Sequence, residues 1–93
     1  MNDLFKATKV ESFEVGELYT NVVAENLEYN CKIIKSDIIC IIPSSSIFCI
    51  VDVIYNDIGT LSVRNLKVLY ENKIGWIVDI SNDEMKTCFE KIV

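Results

Sequence analysis

Residues 65–80, NLKVLYENKIGWIVDI, decide the fold class of this chain. Two apolar-rich runs flank Asn72-Lys73, which reads as a two-residue connection. Asn tolerates positive φ better than other residues with a Cβ, so Asn72 suits the tight turn that joins twisted antiparallel strands. Ahead of the turn, Leu66, Val68 and Tyr70 alternate with Lys67, Leu69 and Glu71. Behind it, Ile74, Trp76, Val78 and Ile80 alternate with Gly75, Ile77 and Asp79. Period two on both sides of a tight turn predicts a β-hairpin.

The composition sets that hairpin in one small all-β domain. The chain has 93 residues, room for one modest core and not for two. Apolar residues make up 51% of it, with only three Gly and one Pro, which excludes a disordered chain. Ile occurs fourteen times, and β-branched residues favour strands. There is no internal repeat, linker or low-complexity segment.

Working outward from the hairpin, residues 47–55 read as the clearest long strand. Ile47, Cys49, Val51, Val53 and Tyr55 fall on one face, and Phe48, Ile50 and Ile54 on the other. Residues 56–60 read as a loop, and 43–46, PSSS, as a turn. Residues 31–42 hold a strand, with Ser36-Asp37 as a break. Residues 13–23 read as a strand opened by Gly16, 26–30 as a loop, and 1–12 as an N-terminal arm or extra strand. The tail, SNDEMKTCFEKIV, carries a capping-box pattern, Ser81-x-x-Glu84, with Met85, Cys88, Phe89 and Ile92 at helical spacing. A short helical turn followed by a closing strand over residues 88–92 is favoured over one longer helix, because a small barrel needs its last edge covered.

The order of elements predicts a barrel of five or six strands and resembles the SH3-like fold, in particular bacterial SH3 domains and small phage-encoded SH3-like proteins. Ile42-Pro43-Ser44-Ser45-Ser46-Ile47-Phe48 sits where that family has a diverging turn entering a long strand. Val68-Leu69-Tyr70-Glu71-Asn72-Lys73-Ile74-Gly75-Trp76-Ile77 resembles the family's strand, short turn and Gly-aromatic-aliphatic strand. Residues 81–93 match its helical turn and short last strand, so the resemblance covers about residues 13–93. The departures bear on function. Residues 64–67 lack the aromatic pair of proline-binding SH3 domains, Val78 stands where they carry Pro, and Leu18-Tyr19 echoes a motif that Thr20-Asn21 does not continue. A polyproline groove is therefore not expected.

Charge and chemistry narrow the function. The net charge is −5, with one Arg and eight scattered Lys, so there is no basic face for nucleic acid or an anionic membrane. The N-terminus lacks an apolar core of signal-peptide length, and the longest apolar stretch, residues 38–51, is interrupted at 43–46. These features predict a soluble, cytoplasmic protein. The Lys, Asn and Ile usage fits an AT-rich genome, and with the resemblance points to a viral source. Cys31, Cys40, Cys49 and Cys88 show no CxxC spacing, and without His the usual Cys/His zinc sites are unavailable. Cys40 and Cys49 read as buried thiols in core strands. Ser-His-Asp and Cys-His nucleophiles are excluded by the same lack of His. Asp52 and Asp57 are the carboxylates a turn would bring together, and surface charge is the plainer reading of both. No enzyme activity, metal or cofactor is expected.

The candidate partner-binding residues fall in two groups. Trp76, Tyr19, Tyr55 and Tyr70 read either as core aromatics or as recognition anchors. Glu11, Glu14, Glu17, Glu25 and Glu28 form a run with no Lys or Arg between positions 10 and 31, either a solvated face or a surface that docks on a basic protein. The favoured function is a non-enzymatic protein-interaction module, a small acidic phage-encoded modulator or inhibitor of a host enzyme or defence complex. A structural or oligomeric virion-associated role is the alternative, and cell-wall binding ranks below it.

Overall fold

The computed structural model describes the backbone of residues 6–22, 32–35 and 38–93, and the side chains of 6–22 and 42–93. The described residues are all-β with a single short helix near the C-terminus. Its elements are β1 (Ala7–Lys9), β2 (Leu18–Asn21), β3 (Lys32–Lys35), β4 (Ile38–Ile41), β5 (Ile47–Ile58), β6 (Leu61–Tyr70), β7 (Lys73–Ser81), α1 (Asn82–Cys88) and β8 (Phe89–Ile92). The strands form one antiparallel sheet in the order β1-β8-β2-β5-β6-β7-β3-β4. Five or six strands become eight for two local reasons. The apolar segment expected to hold one strand carries two, β3 and β4, paired antiparallel. Ala7–Lys9 adds an edge strand on β8. Among the described pairings, none joins β1 to β4.

The hairpin that announces the fold is β6–β7, with its turn one residue earlier than the sequence suggests. Tyr70 pairs with Lys73, so the connection is Glu71-Asn72. Both residues have positive φ, 50° and 64°, the signature of a type I′ turn, whose twist matches that of the strands. Lys73 is already strand.

Two bulges set which side chains meet. In β5 the register shifts between Ile50 and Asp52, so Phe48, Ile50, Val53 and Tyr55 share the core side and Ile54 faces away. The simple alternation expected for this strand, with Val53 and Tyr55 opposite Phe48 and Ile50, breaks at Val51. In β7 the register shifts opposite Arg64–Leu66, and Asp79 takes φ 58°. Ile77 and Ile80 are therefore both buried, while Trp76 and Val78 lie on the other side. Asn65 Oδ1 accepts the Asp79 N–H at 2.8 Å, which holds the bulge.

The core combines aliphatic side chains from β5, β6 and β7 with an aromatic cluster. Phe13 meets Tyr19 and Phe89 edge-on, and Phe48 meets Phe89 the same way. Ring edges against ring faces are the favoured geometry of such pairs. The tail contains both elements read from it, a helix and then a strand. Ser81 Oγ accepts from Glu84 N–H, and the Glu84 carboxylate accepts from Ser81 N–H, completing the capping box. Met85 and Phe89 enter the core, and β8 pairs with both β1 and β2.

β5 and β6 outrun their neighbours. The segment expected to be a loop continues as strand to Ile58, and only Gly59-Thr60 turn before Leu61. β5 and β6 form a long ribbon whose last two pairs, Asp57–Ser62 and Ile58–Leu61, extend beyond β7.

Candidate functional site

The sheet has a core side and an outer side, and the outer side carries exposed apolar residues with a few polar ones between them. Leu18, Cys49, Leu69 and Ile74 are successive cross-strand neighbours on β2, β5, β6 and β7. Asp52, Lys67 and Trp76 form the next row, and Ile54 opposite Asn65 the one after. Leu18 is 42% exposed, Leu69 40%, Ile74 39%, Ile54 47% and Val78 39%. Ile54, Asn65, Trp76 and Val78 line a shallow depression of about 310 Å³. Trp76 is half-buried, and Lys67 Nζ lies 6.0 Å from its ring centre, a cation–π contact at the rim. Trp76 is thus packed by its neighbours while part of its ring stays open to solvent. Cys49 belongs to this outer row and is half-buried, a correction to its reading as a core thiol: its side chain points away from Phe48 and Ile50. Cys88 is also half-buried and free, while the Cys31 and Cys40 side chains lie outside the described residues.

The four candidate aromatics do not converge on one groove. Tyr19 is fully buried and takes the core alternative; it has no surface to offer a partner. Its hydroxyl accepts Glu14 N–H at 2.8 Å and donates to the Ser12 carbonyl at 3.2 Å, pinning the loop before β2. Burial pushes its pKa above the usual tyrosine value. Tyr70 packs against the core, its hydroxyl 3.4 Å from Ser46 Oγ. Tyr55 is 62% exposed on the ribbon, with its ring over Arg64. Tyr55 pairs with Arg64, six residues from Tyr70 along β6, or about 20 Å at strand rise. Trp76 is on the opposite face from all three.

The acidic run meets a cation that the linear sequence hides. Glu11, Glu14 and Glu17 are exposed, and Glu25 and Glu28 lie outside the described residues. Lys91 of β8, far along the chain, reaches Glu14 at 3.1 Å and Glu17 at 3.9 Å. Its hydrogen bond to Glu14 raises the Lys91 pKa. Lys9, Glu11, Glu14 and Lys91 share a polar cleft of about 250 Å³ in which two positive charges face two negative ones. Within this cleft the described charges balance. Asp52 and Asp57 sit on one extended strand, about 17 Å apart at strand rise and on opposite faces, so they form no carboxylate pair.

Ile54, Lys67, Leu69, Ile74 and Val78 are the residues that sequence reasoning passed over. β7 is apolar on both faces, and its inward positions include Gly75, so alternation alone does not say which side is core. Comparison with family models, curated proteins and solved structures finds no match for this chain. Among the described residues, no helix is long and apolar enough to cross a membrane, and no cluster of three metal-ligating side chains occurs.

Proposed function

We propose that this chain is a non-enzymatic, SH3-like protein-interaction module that binds a folded protein through the outer face of β5, β6 and β7, and acts as a small modulator of that partner. The observation that carries the proposal is the set Leu18, Leu69, Ile74, Ile54 and Val78 on one face, each about two-fifths exposed or more, with the half-buried Trp76 and the Asp52–Lys67 pair in the row between them. Exposed apolar surface of this kind marks interaction sites, and aromatic anchors in desolvated surroundings dominate binding energy. Lys67 at the rim supplies a polar contact. The face is broad and shallow, which suits a folded surface better than an extended proline-rich peptide. SH3-like build is supported by the order of elements, a turn at Pro43–Ser46, a long strand, a tight hairpin, one helical turn and a last strand.

The same face serves the alternative, a structural oligomer, if it meets a second copy. Light scattering separates the two. A monomer at micromolar concentration supports the modulator, and a defined oligomer supports the structural role. The companion experiment is affinity capture from lysate with the wild type and with an Ile74→Lys/Val78→Lys variant. Both positions are exposed, so the variant should fold. A protein retained by the wild type and lost with the variant supports the proposal. Equal retention by both would overturn the assignment to this face.

A further inference from the structure

On the other side of the sheet, where the β5–β6 ribbon leaves the core, lies the only arginine of the chain. Arg64 is 5% exposed. Its Nη2 donates to Asn82 Oδ1 at 2.6 Å, at the start of α1. The Tyr55 ring covers the guanidinium, 5.8 Å from its carbon to the ring centre. Nη1 is shielded from solvent and has no acceptor. Arg cannot shed its proton at ordinary pH, so burial cannot neutralise it as it would a lysine. Among the described residues both ion pairs belong to Lys91, and no carboxylate pairs with Arg64. The nearby acids have other partners: Asp57 accepts the Ser62 hydroxyl at 3.0 Å, and Glu84 accepts Ser81 N–H. A buried cation with one neutral acceptor and one unpaired donor is unfavourable as it stands. Its preorganisation is what a recognition site needs, because the guanidinium is already desolvated and fixed.

We infer that Arg64, Asn82 and Tyr55 form a binding site for a carboxylate group carried by a protein partner. The carboxylate accepts Nη1–H and its charge balances the guanidinium. Tyr55, on the exposed ribbon, is the side chain that rotates to admit it. A carboxylate fits better than a phosphate. One guanidinium balances one negative charge, and Lys67, the other cation of β6, faces the opposite side of the sheet. Asp57, two residues from Tyr55 on the same side of β5, would repel a dianion more than a monoanion. The inference rests on the proposed binding role only for the source of the carboxylate; the site itself is independent of the outer face.

The test uses the whole protein and needs no partner. Arg64 is the only arginine, so its side-chain N–H resonances are unambiguous in ¹⁵N NMR. Sodium acetate, the minimal carboxylate, is titrated against sodium chloride and sodium phosphate at matched ionic strength. The expected result is a saturable shift of the Arg64 Nε–H and Tyr55 ring signals with acetate in the millimolar range, and only a linear drift with chloride. Arg64→Lys should abolish the saturable Tyr55 shift. If that variant fails to fold, the wild-type comparison of salts still decides. Identical drifts in acetate and chloride would overturn the inference, as would a stronger response to phosphate than to acetate. Because the probe is a small anion, its failure leaves the outer-face proposal standing, and loss of capture by the outer-face variant leaves this site untouched.

Discussion

Replacing Asn72 with Val tests the turn on which the β6–β7 hairpin depends. Asn72 has φ 64° and follows Glu71 at 50°. A left-handed conformation costs an ordinary L-residue roughly 1–2 kcal/mol, and more for a β-branched side chain, whereas Asn tolerates it. The expected loss for Asn72→Val is therefore about 1 kcal/mol or somewhat more. In a domain of this length a loss of about 1 kcal/mol lowers the melting temperature by about 4–8 °C. Two further substitutions give the experiment its resolution. Lys73 is exposed, and its pairing with Tyr70 places it in the strand, so Lys73→Val should change stability by no more than about 0.5 kcal/mol. Glu71→Gly should stabilise the fold by up to about 1 kcal/mol, because Gly adopts positive φ without steric penalty. Thermal unfolding followed by circular dichroism measures all three. If Lys73→Val proves costly and Asn72→Val silent, the turn is centred one residue later and the pairing of Tyr70 with Lys73 is refuted.

Tyr19→Phe should destabilise the protein by about 1 kcal/mol at neutral pH, by leaving the Glu14 N–H and Ser12 carbonyl unpaired, as urea unfolding would show. The raised Tyr19 pKa adds a pH signature: the folded chain keeps this proton after the unfolded chain has lost it near pH 10. Wild-type stability should fall as pH rises from about 10 through the higher folded-state value, and Tyr19→Phe should flatten that fall. Ser81→Ala removes the cap of α1 and should cost about 1 kcal/mol in the same assay. Cys49, half-buried on the outer face, should react with a maleimide in the native state more slowly than in urea, and Cys49→Ser should remove that reaction when peptides are mapped by mass spectrometry.

The elements whose local chemistry is self-contained were legible in the sequence. The hairpin declares itself by its period, although its turn is Glu71-Asn72 rather than Asn72-Lys73, and the capping box by Ser81 and Glu84. What alternation could not convey were the bulges. One extra residue at Val51 and one at Asp79 reverse which side chains face the core, and neither Val51 nor Asp79 is a residue that marks a bulge by type. The end of β5 was hidden for a related reason. Asn56 and Asp57 look like loop residues, yet they continue the ladder with β6, Asn56 opposite Val63 and Asp57 opposite Ser62, and their exposed side chains are no obstacle to a strand.

The candidate site was half legible. Trp76 stands out as the sole Trp, and alternation puts Ile74 and Val78 on its face, but it does not say that this face is the exposed one or that Leu69 and Ile54 of the neighbouring strands join it. The acidic run looked uncompensated because its cation, Lys91, arrives from the last strand. Arg64 and Tyr55 are nine residues apart in sequence, and only the ribbon's pairing stacks one on the other.

Trp76 is the only tryptophan, and it sits within the proposed interface, so its fluorescence is the most direct probe of binding through the outer face. The measurement is acrylamide quenching of Trp76 with and without the captured partner, corrected for the partner's own emission. Binding should protect Trp76, giving a lower quenching constant and a blue-shifted spectrum. Unchanged quenching at saturating partner would contradict the proposed interface, and would place recognition somewhere other than the outer face of β5, β6 and β7.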